Sequence, residues 1–368
     1  MKDKIIKLAT VFSGVGAVEQ AFLKMKIQHK IVFACDNGER ELKIPYDEIV
    51  KYAEKNAFSN FEMNKYVKNL YDATNKTNWM KKSYFSNYDI VEDNWYEDIR
   101  FIDGTKYHDK IDIFVGGSPC QSFSVIGKRG GLEDARGTLF YDYARLVKEI
   151  QPKVFIYENV VGMLNHDKGK TWDIIKSIFE SLDYKIYYEV LNSLDYGIPQ
   201  DRKRLFVVGI KNKDSHFSFP PKTGCKYEMF DFLEENVDAR HYLGKKGFEF
   251  VTNPNYKSRA RINQKIIKTE KANQQFNWNG DFVFEKINYK KHDEDILRRA
   301  YLGLWNGEKG VVRQLSYREC FRLMGFLDSF KIVTPNIWSY RQAGNSIVVN
   351  IFEAILKELM KEEILWKK

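Results

Sequence analysis

Gly116 to Ser124, Gly-Gly-Ser-Pro-Cys-Gln-Ser-Phe-Ser, puts one cysteine where a thiol can do chemistry. Cys120 follows an apolar run from Ile111 to Val115 that reads as a buried strand. The glycine pair, the proline and the small hydroxyl residues around it allow a tight turn that leaves the sulfur accessible. Open parallel sheets place their reactive groups at the carboxyl ends of strands in this way. A free cysteine is more often a buried structural residue, so on the local pattern nucleophile and core thiol are evenly matched. A single nucleophilic cysteine is recognised only with its partners.

Candidate partners recur along the chain. Phe12-Ser13-Gly14-Val15-Gly16 lies between a strand-like segment, Ile5–Phe12, and a helix around Val18–Met25, so backbone amides and a helix start can face a cofactor. Taken alone, such a glycine turn suits many nucleotide-binding folds. Asp36 closes the second strand, Ile31–Ala34, where an acidic residue usually takes the ribose hydroxyls. Asp98-Ile99 stands ahead of the strand before Gly116 and offers an adenine edge. Glu158-Asn159-Val160 closes the strand after Cys120, Arg202 and Arg204 flank a strand, and Gly344-Asn345-Ser346 opens the last helix.

The elements that must hold these residues alternate. After the cysteine come a helix near Tyr141–Ile150, a strand Val154–Tyr157, a helix near Trp172–Ser181, and strands Tyr184–Leu191 and Leu205–Ile210. Alternation of this kind predicts an α/β fold, a doubly wound mixed sheet of Rossmann-like type. Residues 37–97, dense in Lys, Asn, Tyr and acids, interrupt the rhythm. They contain helix-like pieces such as Tyr46–Asn56 but no evident core strand, and are expected to be an insertion. The rhythm stops again near Asn212, so the expected division is 1–211, a smaller irregular domain over 212–340, and a helix at 341–368 that returns to the first domain. Helices are expected at Tyr317–Met324 and Ile347–Met360.

The 368 residues, 43% of them hydrophobic, can build a large core. No apolar run approaches the roughly 20 residues of a membrane span, and the amino terminus lacks signal-peptide architecture. Cys35, Cys120, Cys225 and Cys320 lie far apart and form no Cys-x-x-Cys pair, which points to a reducing cytoplasm and no metal. The net charge is +9. Most of it sits between Arg240 and Arg299, with 14 Lys and Arg against 7 Asp and Glu. Tyr242, Phe248, Tyr256, Phe276, Trp278 and Tyr289 are interleaved with these charges, a mix suited to a polyanion with stackable bases; a solvated lysine-rich surface is the plainer alternative.

In this order the motifs resemble those of the DNA (cytosine-5)-methyltransferase family, bacterial restriction–modification type. The specific part is Ser118 to Ser124, then Asp134-Ala-Arg136-Gly-Thr138-Leu-Phe140, then Glu158-Asn159-Val160 and Gln200 to Arg204. Arg313 to Cys320, Arg322 to Phe326 and Gln342 to Ser346 match the closing motifs. The likeness implies transfer of a methyl group from S-adenosyl-L-methionine, with S-adenosyl-L-homocysteine as product, to carbon-5 of a cytosine flipped out of double-stranded DNA. It implies that the Cys120 thiolate adds to carbon-6 and that Glu158, its pKa raised, shares a proton with the ring. Arg202 and Arg204 would sit at the base and its flanking phosphate. Gln121 would fill the vacated stack; Ser124, Arg136 and Thr138 would support the catalytic loop and the DNA backbone, and Gly127 to Gly131 would be a mobile loop.

Phe12, Gly14, Gly16, Asp36, Asp98 and Ile99 would hold the donor, with Asn345 and Ser346 near its methionine end. The region from about Asn212 to Gly310 would be the target-recognition segment, with Arg259, Arg261, Asn263, Gln264, Asn273 to Gln275 and Asn277 to Asn279 as candidate readers of base edges, though contact to phosphate is equally in keeping with them. A monomer is expected, functionally linked to a restriction endonuclease. Two positions depart from the family. Asp36-Asn37 replaces Glu and a bulky aromatic, so the wall against adenine must come from elsewhere, and Thr10 stands where aspartate is frequent. The tRNA-directed branch would carry a Cys-Phe-Thr triplet, absent here, and a nicotinamide enzyme would need Gly-x-Gly-x-x-Gly. A binding protein that has lost catalysis would not need Cys120, Glu158, Arg202 and Arg204 together.

Overall fold

The computed structural model describes residues 5–119, 139–256, 260–273, 278–362 and 364–365. The chain divides into two compact units, one formed by 1–191, 203–221 and 352–368, the other by 192–202 and 222–351.

The first unit is built on a seven-stranded sheet. Its strands are β1 (Ile6–Val11), β2 (His29–Cys35), β3 (Trp95–Tyr96), β4 (Ile113–Gly116), β5 (Val154–Val160), β6 (Lys185–Asn192) and β7 (Lys203–Ile210), in the spatial order β3-β2-β1-β4-β5-β7-β6. Strand β1 pairs parallel with β2 and β4, β4 pairs parallel with β5, and β7 runs antiparallel to β5. The mixed doubly wound sheet is the one expected. Strands covered on both faces read as continuous apolar runs rather than alternating ones; β4 and most of β1 and β5 are buried accordingly. Helices α1 (Ala17–Lys24), α5 (Leu139–Ile150) and α6 (Lys170–Ser181) supply the cover. One face closes on aromatic rings, with Phe114 stacked on Tyr143 at 5.1 Å and Phe155 against Phe179 at 4.9 Å.

From β1 the chain moves outward to β2 on one side and later to β4 on the other. The connections that leave the carboxyl ends of β1 and β4 therefore run to opposite sides and open a crevice, the place where such sheets bind ligands. Phe12–Gly16 leaves one lip and Gly116–Pro119 the other.

The insertion is helical, with α2 (Tyr46–Lys55), α3 (Asn60–Asp72) and α4 (Trp79–Asn87), and it ends by adding the edge strand β3 parallel to β2. A two-residue strand is too short to carry an alternation signal, which is why the sequence announces none.

The second unit corrects the expectation of irregularity. It holds a four-stranded sheet ordered Gly303–Trp305, Glu308–Gln314, Gly280–Lys286 and Ala260–Ile262. Phe248, Val251, Ile262, Phe282, Phe284 and Val312 form its core. Beneath it the fully buried Arg313 guanidinium bonds Glu319 at 2.8 and 2.9 Å and Glu285 at 2.8 Å. With its charge paired against two carboxylates, this arginine is tolerable at zero exposure.

Candidate active site and cofactor turn

The turn after β1 is built from residues in left-handed backbone. Phe12 has φ 53°, Gly14 φ 55° and Gly16 φ 80°. For glycine this is free of strain; for Phe12 it costs about 1–3 kcal/mol and persists only where the surroundings enforce it. The enforcement is visible. The Ser13 amide donates to the Cys35 carbonyl at 3.0 Å, and the Cys35 amide donates to the Ser13 hydroxyl at 3.0 Å. Asp36 then closes the cradle, accepting from the Gly14 amide at 2.9 Å and the Gly38 amide at 2.8 Å. Loss of solvation lifts its carboxyl to about 6. Each oxygen has taken one amide and keeps a lone pair for a ribose hydroxyl. A Cβ built on Gly14 meets nothing within 4 Å, so the space above the turn is open. Open space over the turn, bordered by an acid with a lone pair to spare on each oxygen, fits an adenosyl group.

Asp98 and Ile99 stand close by in sequence to β3, but Asp98 is heavily engaged. Its carboxylate accepts from the Tyr71 hydroxyl at 2.8 Å, from the Arg100 amide at 3.0 Å and from the Arg100 guanidinium at 2.6 Å. The Ile99 side chain is buried and its carbonyl accepts from Arg145 at 3.0 Å.

Behind the turn lies a group that sequence reading missed. Glu19, fully buried, accepts from the Thr10 hydroxyl at 3.2 Å and from the Tyr84 hydroxyl at 2.5 Å. This explains Thr10, because an aspartate there would set a second carboxyl against Glu19. Burial lifts the Glu19 carboxyl from 4.5 to about 7. Between those values the folded protein holds a proton that the unfolded chain has released, so stability falls as pH rises across the window and levels off above it. The span corresponds to roughly 3 kcal/mol. Urea midpoints of the first unit should decline from about pH 5 to 7.5, and Glu19→Gln should flatten the decline; an unaltered slope would assign the proton to another group.

At the other lip, β4 and β5 are laced together at their ends. The Asn159 side-chain amide donates to the Ser118 carbonyl at 2.9 Å, and the Ser118 and Tyr157 hydroxyls lie 2.6 Å apart. A Cβ on Gly117 would lie 2.6 Å from the Glu158 carbonyl oxygen, so only glycine lets this stem pass over β5. Glu158 Oε1 meets Arg204 Nε at 3.2 Å, both side chains being about one-sixth exposed, at 15% and 17%. An acid and a guanidinium, paired and still reachable by solvent, therefore stand beside the stem that leads to Cys120.

Cys120, Gln121, Ser124, Arg136, Thr138 and Arg259, and the loop Gly127 to Gly131, lie outside the described residues. Arg202 is placed differently from Arg204. It belongs to the second unit, is buried, and donates to the carbonyls of Glu270 at 3.0 Å, Gly344 at 2.9 Å and Ser346 at 2.9 Å. Asn345 and Ser346 belong to that unit too, at the end of the helix Asn336–Asn345, where the Ser346 hydroxyl donates to the Gln342 carbonyl at 2.6 Å. Among the base-reading candidates, Arg261 bonds Asp281 at 2.9 Å and the Ile266 carbonyl at 2.6 Å. Asn263 is doubly bonded to the Phe284 backbone at 3.2 and 2.8 Å, and Gln264 donates to the Ile262 carbonyl at 2.9 Å. Their polar groups hold the four-stranded sheet and its flanking loop together. Among the described residues no His, Cys, Asp and Glu cluster is suited to a metal ion, and no helix is long and apolar enough to cross a membrane.

Comparison with known proteins agrees with this geometry. The family model described as C-5 cytosine-specific DNA methylase matches residues 56–361. The type II methyltransferase M.SsoII of Shigella sonnei is 35% identical over 287 residues, covering 76% of this chain and 71% of that protein. M.HhaI of Haemophilus parahaemolyticus is 34% identical over 250 residues, covering 66% and 74%. Among solved structures, the S. pombe Dnmt2 methyltransferase shares the fold with a TM-score of 0.64 at 16% identity, over 97% of this chain and 99% of that one.

Proposed function

The chain belongs to the C-5 cytosine-specific DNA methylase family, in company with type II restriction–modification methyltransferases, and from that premise we propose that it methylates a flipped cytosine in a short duplex sequence through a Cys120 adduct. As a DNA (cytosine-5-)-methyltransferase it needs a nucleophile, a proton donor to the ring and a held methyl donor. The observation that carries the reading is the Glu158–Arg204 pair beside the anchored Gly117-Ser118 stem, across the crevice from the Phe12–Gly16 turn.

S-adenosyl-L-methionine, when bound, supplies an electrophilic methyl group on a sulfonium and leaves as S-adenosyl-L-homocysteine. The residues fitted to hold it are Phe12, Gly14 and Gly16 by backbone and Asp36 by carboxylate, with Asp98, Ile99, Asn345 and Ser346 as family counterparts. Cys120 Sγ, as thiolate, forms a bond to carbon-6, and the electron pair of the 5,6 double bond moves toward carbon-5. Glu158 shares a proton with ring nitrogen-3, so negative charge does not accumulate, and Arg204 keeps that carboxyl oriented. Carbon-5 takes the methyl group. Loss of its own proton to solvent then expels the thiolate and restores the double bond. Arg136, Thr138, Ser124 and Gln121 would hold the opened duplex, while Arg259 and the basic face of the second unit would meet phosphates. The enzyme would act as a cytoplasmic monomer beside a cognate endonuclease.

Incubation with tritiated S-adenosyl-L-methionine and unmodified genomic DNA should place label on cytosine carbon-5 alone. Label on an exocyclic nitrogen or on tRNA, or none from protein that folds, would refute the reading. Bisulfite sequencing of DNA from an expressing host should then show one short modified sequence.

A further inference from the structure

The insertion reaches three of the segments assigned to the donor, those at Phe12–Gly16, Asp36 and Asp98. Asn78, at the start of α4, donates through Nδ2 to the Asp36 carbonyl at 2.8 Å and to Glu97 at 2.9 Å, and Glu97 also pairs with buried Arg40. Tyr71 of α3 donates to Asp98 at 2.8 Å. Tyr88, just past α4, donates to the carbonyls of Val15 at 3.1 Å and Gly16 at 2.7 Å, and accepts from Gln20 at 3.1 Å. A Cβ on Gly16 would run into the Tyr88 ring. Tyr84 closes the set on Glu19, which also takes the Thr10 hydroxyl from the carboxyl end of β1.

Helix packing alone would be served as well by phenylalanine, which brings no hydroxyl to satisfy. These hydroxyls instead meet two carbonyls of a turn whose left-handed residues need external support, and the Glu19 carboxyl of the helix that follows it. We infer that the insertion is part of the donor site, with Tyr84, Tyr88 and Glu19 acting as positioning residues that hold the glycine turn in its binding shape; this rests on the donor reading given above. The wall that Asn37 cannot provide is thereby replaced by a brace from behind.

Tyr88→Phe and Tyr84→Phe in the full chain should each weaken S-adenosyl-L-homocysteine binding about tenfold by calorimetry, through loss of the hydrogen bonding of one buried hydroxyl. The KM for S-adenosyl-L-methionine should rise by the same factor, with kcat at saturating donor and DNA affinity nearly unchanged. Glu19→Ala should behave similarly, and Glu19→Gln, which keeps an acceptor for both hydroxyls, should recover most of the affinity. Tyr52→Phe, on the exposed face of α2, should have no effect. Unchanged donor affinity in both tyrosine variants, with wild-type protein binding normally, would overturn the inference alone. A lowered kcat without a KM change would reduce the tyrosines to scaffold and overturn it as well. Failure of the wild-type protein to bind the product at all would overturn the donor reading and this inference with it.

Discussion

Cys120→Ser is expected to stop methyl transfer, with a fall in turnover on the order of 10⁴-fold or more. An unperturbed thiol ionises near pH 8.5 and can be lowered by its surroundings, whereas a serine hydroxyl supplies almost no alkoxide at neutral pH. Serine is close in size, so duplex DNA and S-adenosyl-L-homocysteine should bind as before. That separation matters because the stem before residue 120 is tied at Ser118 by Asn159 and Tyr157, which the substitution leaves in place. On duplexes with 5-fluorocytosine at the target, the wild-type enzyme should form a covalent adduct that survives denaturation, since fluorine blocks loss of a proton from carbon-5. The serine variant should form none. Retained turnover, or an adduct in the variant, would assign the nucleophile to another residue.

How much of this was legible without coordinates depends on where a signal is stored. Strands β1, β4 and β5 are short apolar runs next to glycine turns, so their existence and order could be read locally. The positions of Gly14, Asp36 and Glu158 follow because each sits at a strand's end. Glu19 carried no such mark. A glutamate in the first turn of a helix ordinarily complements the helix dipole at the surface, and only the fold reveals that Tyr84, 65 residues away, covers it. Tyr71, Tyr84 and Tyr88 lie in a stretch dense in Lys, Asn and acids with no evident core strand, so nothing local marks them as buried. Their meaning is long-range.

The second unit failed to announce itself for a related reason. Its two longer strands, Gly280–Lys286 and Glu308–Gln314, pair across more than twenty intervening residues, and the other two are three residues each. Arg261 and Asn263 advertise donors and acceptors in the sequence, but a sequence does not say where they are spent. Here they bond Asp281 and the Phe284 backbone.

The same point separates the two arginines of Gln200 to Arg204, which the motif presents as a pair. Arg204→Leu should cut kcat/KM on the order of 10³-fold, because it removes the cation from beside Glu158 where charge must be balanced during reaction. Its side chain is part-exposed, so unfolding should hardly change. Arg202→Leu should do the reverse. It would strand three carbonyls that the guanidinium now satisfies and leave an empty volume, destabilising the second unit by about 3–5 kcal/mol. It would also remove the nearest positive charge from Glu270, a buried carboxyl that burial lifts to about 8 and that Arg202 pulls down. Glu270 would then hold its proton to still higher pH, so stability in the variant should fall with rising pH over a wider window than in wild type. Urea titrations at pH 6 and pH 9, read beside steady-state kinetics, resolve the two cases. A catalytic defect in Arg202→Leu that persists in a fully folded population, at temperatures well below its melting point, would return this arginine to the reacting base.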